Sequence, residues 1–269
     1  MKPKLLITLG CSWTEGVGCY DPPLDYRSNK KLSFNDIEPL IQKYYKSNIN
    51  NFHKFGWPNR LGKKLGFSKV INLGMGGSSN SGSVKLLYEY LEETDISKYE
   101  TLVVWLMTEP ARFSFYSGGI LNNFQVSEEI RKSMMDEYLK FIQNIKLDPI
   151  LEQKFYLKTL ENFCKVNNVD LITTSWSETF FDLVKIYQSK TYLTKIPKLM
   201  IPPHTKDENG YLVNWSFCSH PNQTGYEWIA NQMVQGIKEN HTKWYSEIQN
   251  ENIEWEFKGN PRLNKPNVI

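Results

Sequence analysis

Apolar positions along this chain come in short, nearly continuous runs separated by longer stretches with helical spacing. The runs are too short for helices and lack the alternation of a half-exposed strand, so they read as strands buried on both faces. Lys4–Leu9 (KLLITL) is the first, Val70–Asn72 (VIN) a short second, Thr101–Met107 (TLVVWLM) the third and Val169–Thr174 (VDLITT) the fourth. Between them the spacing predicts helices over Pro58–Leu65, Ser83–Glu93, Glu128–Ile145 and Pro149–Asn167, with a last one from Gln223 to Asn240. Pro149 suits a first helical turn, where its missing N–H would have had no partner. Alternating strands and helices predict an α/β protein, a three-layer α/β/α sandwich around a parallel sheet. Polar, aromatic stretches at 19–55 and 189–214 break the alternation and read as insertions at its rim. The main domain is then 1–240. Residues 241–269, with Trp244 and Trp255 but no helical period, form an extension that either wraps this domain or docks an oligomer or assembly partner.

Composition narrows the class. With 40% apolar and 23% charged residues and a mean hydropathy of -0.49, the chain reads as a soluble globule with no membrane partner. Its net charge of +3 comes from Lys far more than Arg, and the five arginines (27, 60, 112, 131 and 262) stand singly, so no nucleic-acid partner is expected. Four cysteines, at 11, 19, 164 and 218, share no metal-ligand or disulfide-scaffold spacing. No metal or organic cofactor is expected. The apolar start Leu5–Leu9 is shorter than the 7–15 residues of an export signal, which makes the cytoplasm the expected location.

In open parallel sheets, ligands bind at the carboxyl ends of strands. After the first strand comes Gly10-Cys11-Ser12-Trp13-Thr14-Glu15-Gly16, a small turn that puts a hydroxyl at a helix start, where free backbone N–H groups favour a developing anion. Capping the helix is the plainer role for Ser12 alone. After the second strand comes Gly74-Met75-Gly76-Gly77-Ser78-Ser79-Asn80, whose glycines let backbone N–H groups approach a ligand. A dinucleotide loop is excluded by spacing: counted from Gly74, the sixth position of G-x-G-x-x-G is Ser79, and the same pattern fails at Asp21 near Gly16 and Gly18. Ser219-His220-Pro221-Asn222 stands directly before the last helix, so His220 can serve as general base to a nucleophilic serine.

Together these blocks resemble the SGNH/GDSL hydrolase superfamily over roughly residues 4–240. ITLGCSWTEG is similar to its first block, with Ser12 in the nucleophile's place and Cys11 replacing Asp; INLGMGGSSN to the second, with Gly77 as a backbone N–H donor to the oxyanion; SHPNQTGYEWIA to the last, with His220 as base. The resemblance implies a flavodoxin-like sheet of order 2-1-3-4-5. It also implies a serine esterase or deacylase acting on a small acyl ester, with an O-acetylated carbohydrate as the expected substrate class.

Two further positions depart from the family pattern. Thr108 stands where the oxyanion Asn would be, with Asn80 as a substitute donor, and Phe217 takes the acid's place three residues before His220, the nearest carboxylates being Asp207 and Glu208. A Ser-His dyad steadied by a main-chain carbonyl remains workable, since the acid's role is to hold the imidazole tautomer. Trp13 and Trp176 follow the first and fourth strands and can wall a sugar or acyl group, or simply pack in the core. Arg112, beyond the third strand, can bind a substrate anion or make a surface ion pair. Cys11 and Cys218 would flank the Ser and His, expected as buried bystanders, with a Cys nucleophile or a redox switch as the alternative. The rival reading is a catalytically degenerate SGNH-like domain for binding or structural assembly, in a surface or virus-particle structure, favoured by Phe217, Thr108 and the long tail.

Overall fold

The computed structural model describes residues 2–19, 52–108, 112–117, 120–125, 149–176 and 220–259. Along them run β1 (Lys4–Leu9), α1 (Ser12–Glu15), α2 (Trp57–Lys64), β2 (Lys69–Asn72), α3 (Asn80–Glu93), β3 (Glu100–Met107), β4 (Arg112–Ser117), β5 (Ile120–Gln125), α4 (Pro149–Val166), β6 (Asp170–Ser175), α5 (Gln223–Asn240) and β7 (Glu254–Phe257). The helix expected over Glu128–Ile145 and nearly all of both expected insertions lie outside the described residues. The antiparallel hairpin of β4 and β5 was not expected.

β1, β2, β3, β6 and β7 form one sheet in the order β6-β3-β1-β2-β7, with every pairing parallel. Successive side chains on a strand point to opposite faces. Leu6, Val70, Leu102, Val104 and Ile172 therefore pack with Trp57 and Leu61 of α2 and Ile229 and Met233 of α5. Leu5, Ile7, Ile71, Val103 and Trp105 pack on the other face with Leu87 of α3 and Leu157 and Leu160 of α4. Two cores on one sheet make the α/β/α sandwich. Among the described residues no helix is long and apolar enough to cross a membrane.

The sheet order corrects the expected 2-1-3-4-5 in one respect. The four sequence-read strands take the order 2-1-3-4, but the fifth strand is β7, which lies beyond β2 on the opposite edge. The described part of the tail thus joins its own domain's sheet. After α5, a turn over Thr242–Trp244 buries Trp244 against Phe67, ring centroids 5.6 Å apart, and sends the chain to the β2 edge. There Lys69 pairs with Glu254, and Glu254 N–H donates to Ser68 O at 3.0 Å. The sequence EWEF is too short and too charged to stand out as a strand, because an edge position leaves it partly in water.

Candidate active site

Parallel pairing puts the ends of β1, β2 and β3 side by side. Gly10, at φ +149°, makes the close approach feasible: a Cβ there would stand 2.2 Å from Thr14 Oγ1 and 2.7 Å from Leu106 O. The chain then turns into α1, a single turn in which Cys11 O accepts from the N–H groups of Thr14 and Glu15 and Gly16 closes the helix in the left-handed region. Ser12 is the first residue of that turn and is buried to 8% exposure. As in any helix start, its own N–H has no acceptor inside the helix.

Ser12 and His220, 208 residues apart in sequence, meet here, with Ser12 Oγ and His220 Nε2 2.8 Å apart. With the imidazole proton on Nδ1, Nε2 accepts the serine O–H. His220 is placed by the start of α5. Asn222 caps that helix by accepting from Gly225 N–H at 3.0 Å, and the buried Tyr226 donates its hydroxyl to Val17 O at 2.7 Å. α5 is thereby fastened to the segment that follows the serine.

The loop after β2 is fastened to the same turn. Asn72 accepts from Gly74 N–H at 2.8 Å and donates to Thr14 O at 2.8 Å, and Met75 N–H donates to Gly10 O at 3.0 Å. Gly77 is the third residue of a turn closed by Ser78 N–H to Met75 O, at φ +74°, which suits glycine. His53 lies behind α1: its Nδ1 is 2.8 Å from Glu15 O, and its ring stacks on Phe257 of β7 with centroids 3.6 Å apart. Burial pushes the His53 imidazole down to about 4, against the opposing effect of the bond to Glu15 O, so the ring is neutral near pH 7 and donates from Nδ1.

Asn80 is not available as the substitute oxyanion donor. Its Nδ2 donates to Thr108 O and to Gln153 Oε1, both at 2.8 Å, which uses both amide hydrogens, while its Oδ1 accepts Thr108 N–H at 2.8 Å. The amide closes the end of β3 as a neighbouring strand would. The Thr108 hydroxyl is buried and, among the described residues, has no hydrogen-bond partner.

Trp13, the residue after Ser12, stacks on Trp176 with ring centroids 4.9 Å apart and 21° between ring planes. Both also pack against the core shared with α2 and α5. Arg112 opens β4 opposite Gln125 and is described by its backbone alone. Cys11 is fully buried, whereas Cys218, Phe217, Asp207 and Glu208 lie outside the described residues. Cys164 is far from a reactive thiol, since burial and the nearby Asp170 push it up to about 12. Among the described residues no three His, Cys, Asp or Glu side chains cluster as metal ligands.

Sequence reasoning missed Asn72, His53, Tyr226 and Gln153. Asn72 carries a faint signal, a polar side chain ending an apolar strand just before a Gly-rich loop. The other three act only through partners distant in sequence. In comparisons with known proteins, no family model matches the chain and no curated protein sequence matches it.

Proposed function

We propose that this protein is a serine ester hydrolase, with Ser12 as nucleophile and His220 as general base. The observation that carries this reading is the 2.8 Å contact between Ser12 Oγ and His220 Nε2 at the carboxyl end of a parallel sheet. In the first half-reaction, Ser12 Oγ attacks the acyl carbon as its proton passes to His220 Nε2. The tetrahedral oxyanion accepts from the N–H groups of Ser12 and Gly77, with the Thr108 hydroxyl as a third donor. His220 then returns the proton to the leaving alkoxide. Water hydrolyses the acyl-serine by the same route in reverse. The favoured substrate is a small O-acyl ester on a carbohydrate, whose ring would lie along the Trp13–Trp176 stack beside the nucleophile.

The rival, a degenerate SGNH-like binding domain, draws on one observation: Asn80 is committed to Thr108 and Gln153, which leaves one side-chain donor fewer for the oxyanion. One experiment separates the two readings. A fluorophosphonate probe is expected to label wild type at Ser12 and to leave Ser12→Ala and His220→Ala unlabelled, and wild type is expected to hydrolyse acetyl esters faster than His220→Ala. Equal rates across a panel of acetyl esters would overturn the hydrolase reading in favour of binding, and labelling that persists in Ser12→Ala but is lost in Cys11→Ala would move the chemistry to a thiol.

A further inference from the structure

We infer that the C-terminal strand positions the catalytic turn, through Gly259 and His53, an inference that rests on the hydrolase reading above. The grounds are a stack of three backbones with no room for a side chain between them. A Cβ on Gly259 would stand 1.7 Å from Gly74 O and 2.5 Å from Gly74 C. A Cβ on Gly74 would in turn stand 2.3 Å from Glu15 N and 2.5 Å from Thr14 C. Gly259, two residues beyond β7, therefore lies flat against the first residue of the oxyanion loop, and that residue lies flat against the turn that carries Ser12.

The strand that delivers Gly259 is held in register. Phe257 is paired with Asn72, and Lys258 N–H donates to Asn72 O at 2.9 Å, while the Asn72 side chain holds both Gly74 N–H and Thr14 O. A second line of contact runs in parallel, from Phe257 through the stacked His53 ring to Glu15 O. Both lines start on β7 and end on α1. None of these residues touches the reacting atoms, so Gly259, Gly74 and His53 are positioning residues.

Consequences follow from the distances. For a Cβ on Gly259 to reach a tolerable 3.0 Å from Gly74 O, the two segments must separate by at least 1.3 Å. Misplacement of a reacting group by about 1 Å costs on the order of 10²-fold in rate. Whichever segment moves, Gly74 loses its backing.

The test compares wild type with Gly259→Ala, each confirmed as folded by a cooperative thermal transition. Expected for Gly259→Ala are fluorophosphonate labelling of Ser12 slowed by about tenfold or more, kcat on a small acetyl ester reduced with KM within about twofold, and faster amide exchange over residues 73–79, with the helix at 223–240 unchanged. Exchange and labelling both at wild-type rates in a folded variant would overturn the inference. Should wild type itself fail to label, the hydrolase reading falls, and the exchange measurement, which needs no turnover, still decides whether β7 holds the loop. Should Gly259→Ala fail to fold, His53→Leu and His53→Asn decide: Leu removes the donor to Glu15 O and is expected to label slowly, whereas Asn keeps a donor at the Nδ1 position and is expected to label faster than Leu. Labelling of His53→Leu at the wild-type rate would overturn the inference.

Discussion

At the scale of single residues, the candidate site uses backbone groups that only certain side chains permit. Gly77 sits at φ +74°, where an L side chain costs about 1–2 kcal/mol. Gly77→Ala is therefore expected to lower the unfolding free energy by that amount, measured by urea denaturation. If its N–H is drawn away from the oxyanion, turnover should fall by as much as about 10²–10³. Unchanged turnover in the destabilised variant would move the oxyanion site elsewhere. His53 gives a pH dependence of definite sign. Its folded-state value of about 4 lies below the ordinary 6.5, so the unfolded chain binds the proton first as pH falls. Stability present above pH 6.5 is lost on the way down to pH 4, by at most about 3 kcal/mol. His241, also lowered by burial, contributes with the same sign. Urea midpoints between pH 7 and pH 4.5 are expected to fall less steeply for His53→Asn than for wild type, and equal slopes would assign the pH dependence to other groups.

At the scale of elements, what matters is how α5 brings His220 to Ser12. The helix packs on α2, to which it is also joined by ion pairs from Arg60 and Lys64 to Glu227, and its first turn is tied to Val17 by Tyr226. Partly buried ion pairs at the surface, such as these, contribute about 0–1 kcal/mol each, whereas a buried hydrogen bond contributes about 0.5–1.5 kcal/mol and leaves an orphaned group when broken. Tyr226→Phe keeps the ring and removes the donor, stranding Val17 O. A loss of about 1–2 kcal/mol in stability is expected, together with a lower kcat and an unaltered KM. A stability loss with kcat untouched would show that the tie holds the fold and not the geometry of the site.

At the scale of the whole molecule, the sheet is completed by a strand from the far end of the chain: Lys69 pairs with Glu254 across 185 residues. Without β7, the N–H and C=O groups on the outer side of β2 have no ladder partner, and a bare edge recruits strands from other molecules. A chain ending at Asn252 is expected to melt at a lower temperature and to elute from a sizing column in larger species than the full chain. Identical melting and elution would mean that β7 is a passive trim on an independent sheet.

The pattern of residues alone determined much of this fold. Strands read at Lys4–Leu9, Val70–Asn72, Thr101–Met107 and Val169–Thr174 lie within a residue or two of β1, β2, β3 and β6, and the last helix, read from about Gln223 to Asn240, matches α5. Strands buried on both faces must be apolar throughout and helices must show their period, so local patterning is enough to find them. Ser12 and His220 were legible as candidates because a strand end or a helix start is itself a local signal. Their 2.8 Å contact was not, nor was the use of Asn80 to close β3, since both depend on elements distant in sequence. The edge strand β7, the clamp made by His53 and the flat approach of Gly259 to Gly74 escaped for the same reason. A half-exposed strand, a buried imidazole and a glycine without a side chain carry no periodic signature, and what each of them does is decided only by what the folded chain lays against it.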